Sequence, residues 1–139
     1  LAPLNSLTLP LLKISNNIKF MRDPTRGGVA GVLNEIAQKH NVEIEVEEEN
    51  LPIKPWVKSA SEILGIDPLY SANEGKVIII ASEKDQDKIM DFLKNHPQGK
   101  EARIIGKIKG KGNRVYLKTR LGTRRILDPL KKDLLPRIC

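Results

Sequence analysis

Three groups of side chains in this sequence have the types and spacing to do chemistry. The first is Cys139, the single cysteine of the chain and its last residue, closing the run Leu134-Leu135-Pro136-Arg137-Ile138-Cys139. The thiolate is the reactive form of cysteine, and a residue at a chain end can visit more than one site. Arg137 would favour the thiolate, while the terminal carboxylate would oppose it. The same residue also fits a surface cysteine without a role. The second group is Asp23-Pro24-Thr25-Arg26-Gly27-Gly28, which leads directly into a helical pattern. Bare N–H groups at a helix start attract anions, glycines let a phosphate approach closely, and Arg26 adds a positive charge. No Gly-Lys-Ser/Thr follows, so this is not a P-loop. The alternative is a tight turn in which Gly28 and Gly31 permit close helix packing. The third group is Ser71-Ala72-Asn73-Glu74-Gly75, just ahead of the most apolar segment. Loops held by such strands often carry catalytic groups, and Glu74 would serve as a general base if partly desolvated. Left in water it is an ordinary loop carboxylate.

The elements that must position these groups follow from apolar periodicity. Leu4, Leu7, Leu11, Leu12 and Ile14 are spaced as a helix that Asn5 or Ser6 could cap and that Pro10 should shorten or kink. Residues 18–21 read as a short strand. Val29, Val32, Leu33, Ile36 and Ala37 share one helix face, ending near His40-Asn41. Val42, Ile44 and Val46 alternate with Glu43, Glu45 and Glu47, which predicts a strand with one acidic face in water. Residues 55–64 form a helical pattern around Trp56, Val57, Ala60, Ile63 and Leu64, stopped by Gly65. Val77-Ile78-Ile79-Ile80-Ala81 predicts a central strand covered on both faces. Ser82 could cap a helix bearing Ile89, Met90, Phe92 and Leu93. Residues 102–108 and 114–118 alternate as strands, with Gly110-Lys111-Gly112-Asn113 predicting a hairpin turn. A short segment then runs from Gly122 to Leu127. This order predicts an α+β domain with a mixed sheet and helices against it.

Composition narrows the classes. At 139 residues and 40% hydrophobic, the chain can bury the core of one domain, and with 4% aromatics that core is mostly aliphatic. A single cysteine excludes a disulfide framework and fits a reducing compartment. No apolar run is long enough for a membrane helix, and no secretory signal is present, so a cytoplasmic protein is expected. Residues 1–99 carry 11 Lys/Arg against 14 Asp/Glu, whereas residues 100–139 carry 13 against 3. Such an asymmetry suits a polyanion, an acidic protein face or a solvated basic surface. Nucleic acid is disfavoured, because no aromatics interleave with the cations. No metal site is expected: His40 and His96 lack companion ligands, and Glu47, Glu48 and Glu49 form one strand end rather than a converging set.

Taken together, Met21-Arg22-Asp23-Pro24-Thr25-Arg26-Gly27-Gly28-Val29-Ala30, Ala72-Asn73-Glu74-Gly75, Gly122-Thr123-Arg124-Arg125-Ile126-Leu127-Asp128-Pro129 and the closing Pro136-Arg137-Ile138-Cys139 resemble the HypE family of hydrogenase expression/formation proteins. The likeness runs in order from Ala2-Pro3-Leu4-Asn5-Ser6 to the last residue. The glycine motif is shared with the wider aminoimidazole-ribonucleotide-synthetase (PurM-like) superfamily, and the terminal Pro-Arg-Ile-Cys is the discriminating part.

The resemblance implies a PurM C-terminal-like three-layer α/β/α domain over residues 1–127, a flexible tail over residues 128–139 ending in the reactive cysteine, and an upstream ATP-binding domain absent from this chain. It implies that a carbamoyltransferase, HypF, loads a carbamoyl group on Cys139, that ATP with Mg2+, bound mainly by the absent domain, drives its dehydration to a thiocyanate, and that the cyanide passes to iron on a HypC–HypD complex. It also implies a homodimer of the full-length protein. Glu74 matches the family's candidate base, and Asp23, Thr25, Arg26, Gly27, Gly28 and Asn73 match its nucleotide-side or interface positions. An isolated fragment of this kind is expected to be inactive. Two other readings stand beside this one: a different ATP-dependent enzyme of the superfamily, and a polyanion-binding module using the basic last third.

Overall fold

A computed structural model of the chain describes residues 4–129. Residues 130–139, and with them Cys139 and most of the expected tail, lie outside the described residues. The chain folds as two compact units, one of residues up to Pro24 together with Asn73–Ile104, the other of Thr25–Ala72 together with residues from Ile105 onward.

In the first unit, helix α1 (Asn5–Ile14) packs beside helix α4 (Gln86–Asn95), and strands β1 (Ile18–Arg22) and β3 (Ile78–Ala81) pair antiparallel. Leu7, Leu11, Ile89 and Leu93 form the core, with Ile18, Met21, Val77, Ile79 and Ala81 packed against it. Each such side chain removed from water contributes about 1.5–3 kcal/mol. α1 is short, at 10 residues, and contains Pro10, with Leu7 and Leu11 buried on one side. Ser15 Oγ and Asn17 Nδ2 both donate to Asp85 Oδ2, tying the end of α1 to the start of α4. Ser82 offers no side-chain cap: it leads into a short 3-10 helix, Glu83–Asp85, and α4 begins at Gln86.

The expectation that β3 is a central strand is corrected, because among the described residues its only strand neighbour is β1. An unbroken apolar run reports burial, not the number of hydrogen-bonded neighbours. Here Val77, Ile79 and Ala81 satisfy it against the α1–α4 core while Ile78 is buried as well.

The second unit is a four-stranded mixed sheet in the order β4 (Gly106–Lys111), β2 (Val42–Glu47), β5 (Val115–Lys118), β6 (Arg124–Ile126). Helix α2 (Gly28–His40) packs on β2 and β5, and Val32, Leu33, Ile36, Ile44, Val46, Val115 and Leu117 are all buried. The predicted hairpin between the two last-third strands does not form. β2 lies between them, antiparallel to β4 and parallel to β5. Gly110 and Lys111 are strand residues facing Glu43 and Val42, and the chain then crosses the start of β2, where Gly112 N–H donates to Asn41 O. A Cβ on Gly112 would come within 2.8 Å of the Glu43 Cβ, so glycine makes the crossing possible. The register sets Glu45 opposite Lys107 of β4 and Glu47 opposite Lys118 of β5, opposite charges on both sides of β2.

The same arrangement corrects the reading of β2 as having a solvated acidic face. Glu45 is 8% exposed and pairs with Lys109 at 3.3 Å and Arg124 at 3.2 Å, while Glu43 pairs with Arg124 at 2.7 Å. Helix α3 (Pro55–Leu64) forms where expected and ends at Gly65. None of its residues is buried, and Trp56 and Ile63 are 66% and 85% exposed. Among the described residues no helix is long and apolar enough to cross a membrane.

Candidate functional site

The glycine turn takes its shape from backbone that only glycine adopts readily. Gly27 (φ 67°) and Gly28 (φ 60°) are both left-handed, and Gly27 caps α2 without any side-chain hydrogen bond. The turn also serves close packing. A Cβ on Gly28 would fall 2.5 Å from Leu69 O and 2.6 Å from Ser71 O, and one on Gly31 would fall 2.8 Å from Arg26 O. The close-packing reading of the turn is borne out, since its glycines bring backbone against backbone. Arg26 is exposed and Thr25 half-buried.

The motif residues divide between the two units. Asp23 and Pro24 belong to the first and Thr25, Arg26, Gly27 and Gly28 to the second. In the first unit Asn73 N–H donates to Pro24 O at 2.8 Å, so the loop that carries Glu74 is stitched to the segment that carries Asp23. Pro24 is buried and Asp23 exposed. Glu74 itself is exposed, so the desolvation a general base needs is not supplied within the described residues. Among those residues no group of three or more His, Cys, Asp or Glu side chains converges as a metal-binding set.

A second cluster, which the sequence did not reveal as such, holds the chain where it leaves the sheet. Leu127 is fully buried. Its N–H donates to Val115 O at 2.9 Å, and its carbonyl accepts from Asn34 Nδ2 at 2.8 Å. Asp128 O accepts from the Tyr70 hydroxyl at 2.8 Å. Tyr70 lies on the short 3-10 helix Pro68–Tyr70, whose first free N–H is capped by Asp67 Oδ1, and Asp67 Oδ2 pairs with Arg125 at 2.7 Å. Burial, then the charge of Asp67, raises the Tyr70 phenol above its ordinary value, so the hydroxyl stays a donor. An open cleft of about 290 Å³, bordered by Asn34, Gln38, Arg114 and Asp128, flanks this point. The legible signal was Asn34, a polar residue four positions after Ala30 and three before Ala37 on the buried face of α2.

Arg124 also stacks on the Tyr116 ring at 4.2 Å. Lys109, Arg124 and Arg125 thus have their charges met within the second unit, which reduces the basic excess of the last third as a surface for polyanions.

Comparison with known proteins bears on what these clusters are for. The profile of "AIR synthase related protein, C-terminal domain" matches residues 5–118. A protein of Cupriavidus necator named carbamoyl dehydratase HypE is 41% identical over 139 residues, which are 99% of this chain and 40% of the relative. The crystal structure of a HypE–HypF complex contains a chain of the same fold, with TM-score 0.88 and 45% identity over 94% of this chain and 42% of that one. A hydrogenase maturation protein HypE crystallised in complex with ATP gives TM-score 0.83 and 37% identity, covering 96% of this chain and 40% of that one. The chain therefore spans about 40% of the length of the relatives it matches.

Proposed function

The chain belongs to the AIR synthase related protein family, as its C-terminal domain, and from that premise we propose that it is the thiol-bearing part of a HypE-type carbamoyl dehydratase. The observation that carries the reading is the end-to-end likeness to a carbamoyl dehydratase, reaching a chain whose last residue is its single cysteine. Cys139 is the carrier: its thiolate attacks the carbonyl carbon of an activated carbamoyl donor, whose activating group leaves with the bonding pair, to give the thiocarbamate RS–C(=O)NH2. The carboxamide oxygen then attacks the γ-phosphorus of ATP, and ADP leaves. Amide oxygen is a poor leaving group, and phosphate is a good one. Loss of phosphate with removal of the nitrogen's protons forms the C≡N bond and leaves RS–CN. The net change on the thiol is loss of one water.

Glu74 is proposed as the base that takes a proton from that nitrogen. Its exposure in this domain means that desolvation of the carboxylate is supplied by the rest of the protein or by the bound substrate. Asp23, Thr25, Arg26, Gly27, Gly28 and Asn73 are proposed as nucleotide-side residues, with the left-handed Gly27-Gly28 turn presenting bare backbone N–H groups to phosphate. No donor set for Mg2+ converges among the described residues. The ATP and Mg2+ sites are assigned mainly to the part of the relatives' length that this chain does not span. A HypF-type carbamoyltransferase is proposed as the donor, a HypC–HypD complex as the acceptor of cyanide, and a homodimer as the working state, in the cytoplasm.

The test is mass spectrometry of the C-terminal peptide after incubating the intact protein with the carbamoyltransferase and its carbamoyl donor, then with ATP. The reading expects a carbamoyl adduct on Cys139 that loses the mass of water only when ATP is added. An unmodified peptide, under conditions where a carbamoyl dehydratase HypE reacts, would sink it.

A further inference from the structure

Helix α3 turns its apolar side away from the domain that carries it. Trp56, Val57, Ala60, Ile63 and Leu64 fall on one continuous side, as helical spacing requires. That side faces water: Trp56 is 66% exposed, Val57 40%, Ile63 85% and Leu64 68%. The polar Ser61 is the one residue of the helix that is partly shielded. The helix is well formed at both ends. Pro55 starts it, Gly65 at φ 66° stops it, and Ile66 N–H donates to Ser61 O at 2.9 Å. Lys54 Nζ lies 5.2 Å from the centre of the Trp56 ring, which leaves most of that ring open. The four large side chains present on the order of 500 Å² of apolar surface, as much as the largest patch on a typical monomer.

We propose that this face is an interdomain surface, covered in the intact protein by the part of the same polypeptide that this chain does not span. Its area is too small for a free partner. A stable complex buries about 800 Å² on each side, and a helix about 15 Å long offers less. A covalently linked domain needs less, because linkage holds it at an effective concentration of about millimolar. The relatives possess such a domain: this chain covers about 40% of their length, and the profile it matches is that of a C-terminal domain. The rim carries both signs of charge, Lys54 and Lys58 with Glu62, so no single-sign field steers a separate partner to it. The surface that fits is apolar, of like area, with an acceptor for Lys58 at its edge.

The experiment places a photo-cross-linking benzophenone amino acid at position 63 of the intact protein. Isotopically light and heavy forms are mixed, and the linked peptides are mapped by mass spectrometry. Links are expected to residues ahead of Leu1, in pairs that are wholly light or wholly heavy. Light–heavy pairs would assign the face to a second copy and overturn the proposal. Links confined to residues 1–139, or links that form only when a HypF-type carbamoyltransferase is added, overturn it too. A second measurement avoids the bulky probe. With the other cysteines replaced by serine, Cys139 included, Ile63→Cys in the folded intact protein should react with a maleimide roughly tenfold more slowly than in the same protein unfolded in urea, because labelling waits for local opening. Equal rates overturn the proposal whatever the cross-links show. Thiocyanate formation plays no part in either readout, so the result stands whether or not Cys139 is the carrier.

Discussion

Exchanging Glu74 for glutamine keeps the shape of the loop and removes the group proposed to accept a proton. The intact variant should accept carbamoyl on Cys139 at the parent rate and dehydrate it about 10²–10⁴-fold more slowly, the range typical of a lost general base. Rapid-quench analysis of the C-terminal peptide separates the two steps, and an unchanged thiocyanate yield would remove Glu74 from the role. The residue scale is also where the sequence was most legible. The left-handed Gly27-Gly28 turn could be read directly, because a glycine pair before a helical pattern has few other uses. Asn34 stands out only as a polar residue on the apolar face of α2; its partner and that of Tyr70 lie 93 and 58 residues away and are backbone carbonyls, which leave no mark in the residue pattern.

Helices and strands were legible in type and less so in partnership. The positions of α2, β2, α3 and α4 follow apolar periodicity, which is local. The order β4-β2-β5-β6 is not local. It depends on which basic strand meets acidic β2, and a glycine-rich link resembles a hairpin turn until Glu43 and Glu45 are seen between the strands. Two predictions belong to this scale. Leu11 is fully buried in the α1–α4 core, so Leu11→Ala should destabilise the fold by about 2–5 kcal/mol in chemical denaturation, with no change in the slope of the transition. Asp85 is held below the ordinary carboxylate value, first by the hydrogen bond from Ser15 and next by that from Asn17. Its folded-state pKa is therefore lower than its unfolded one. The stability it contributes is present above the unfolded value and is lost as pH falls through the folded one. Thermal unfolding followed down from neutral to acid pH should show a steeper loss for the parent than for Asp85→Asn, and parallel curves would rule out Asp85 as the cause.

For the molecule as a whole, the family and the α+β class were legible because motifs spread along the chain carry them. The division into two units was not, since neither unit is continuous in sequence. The exposed apolar side of α3 was equally hidden: periodicity shows that a face is apolar and cannot say whether the same chain covers it. Because the chain spans about 40% of its relatives, the proposed catalysis is assigned to the intact protein. This domain alone should neither hydrolyse ATP nor dehydrate a carbamoyl thiol, and phosphate release at the level of the intact protein would show that the nucleotide site has been misassigned. The most direct test of the central claim is the mass of the C-terminal peptide of the intact protein, before and after ATP, once carbamoyl has been supplied. The account predicts a carbamoyl adduct on Cys139 that converts to the lighter thiocyanate with ATP, and no adduct in Cys139→Ala. A thiocyanate found on any other residue, or an adduct on Cys139 that ATP leaves unchanged, would contradict it.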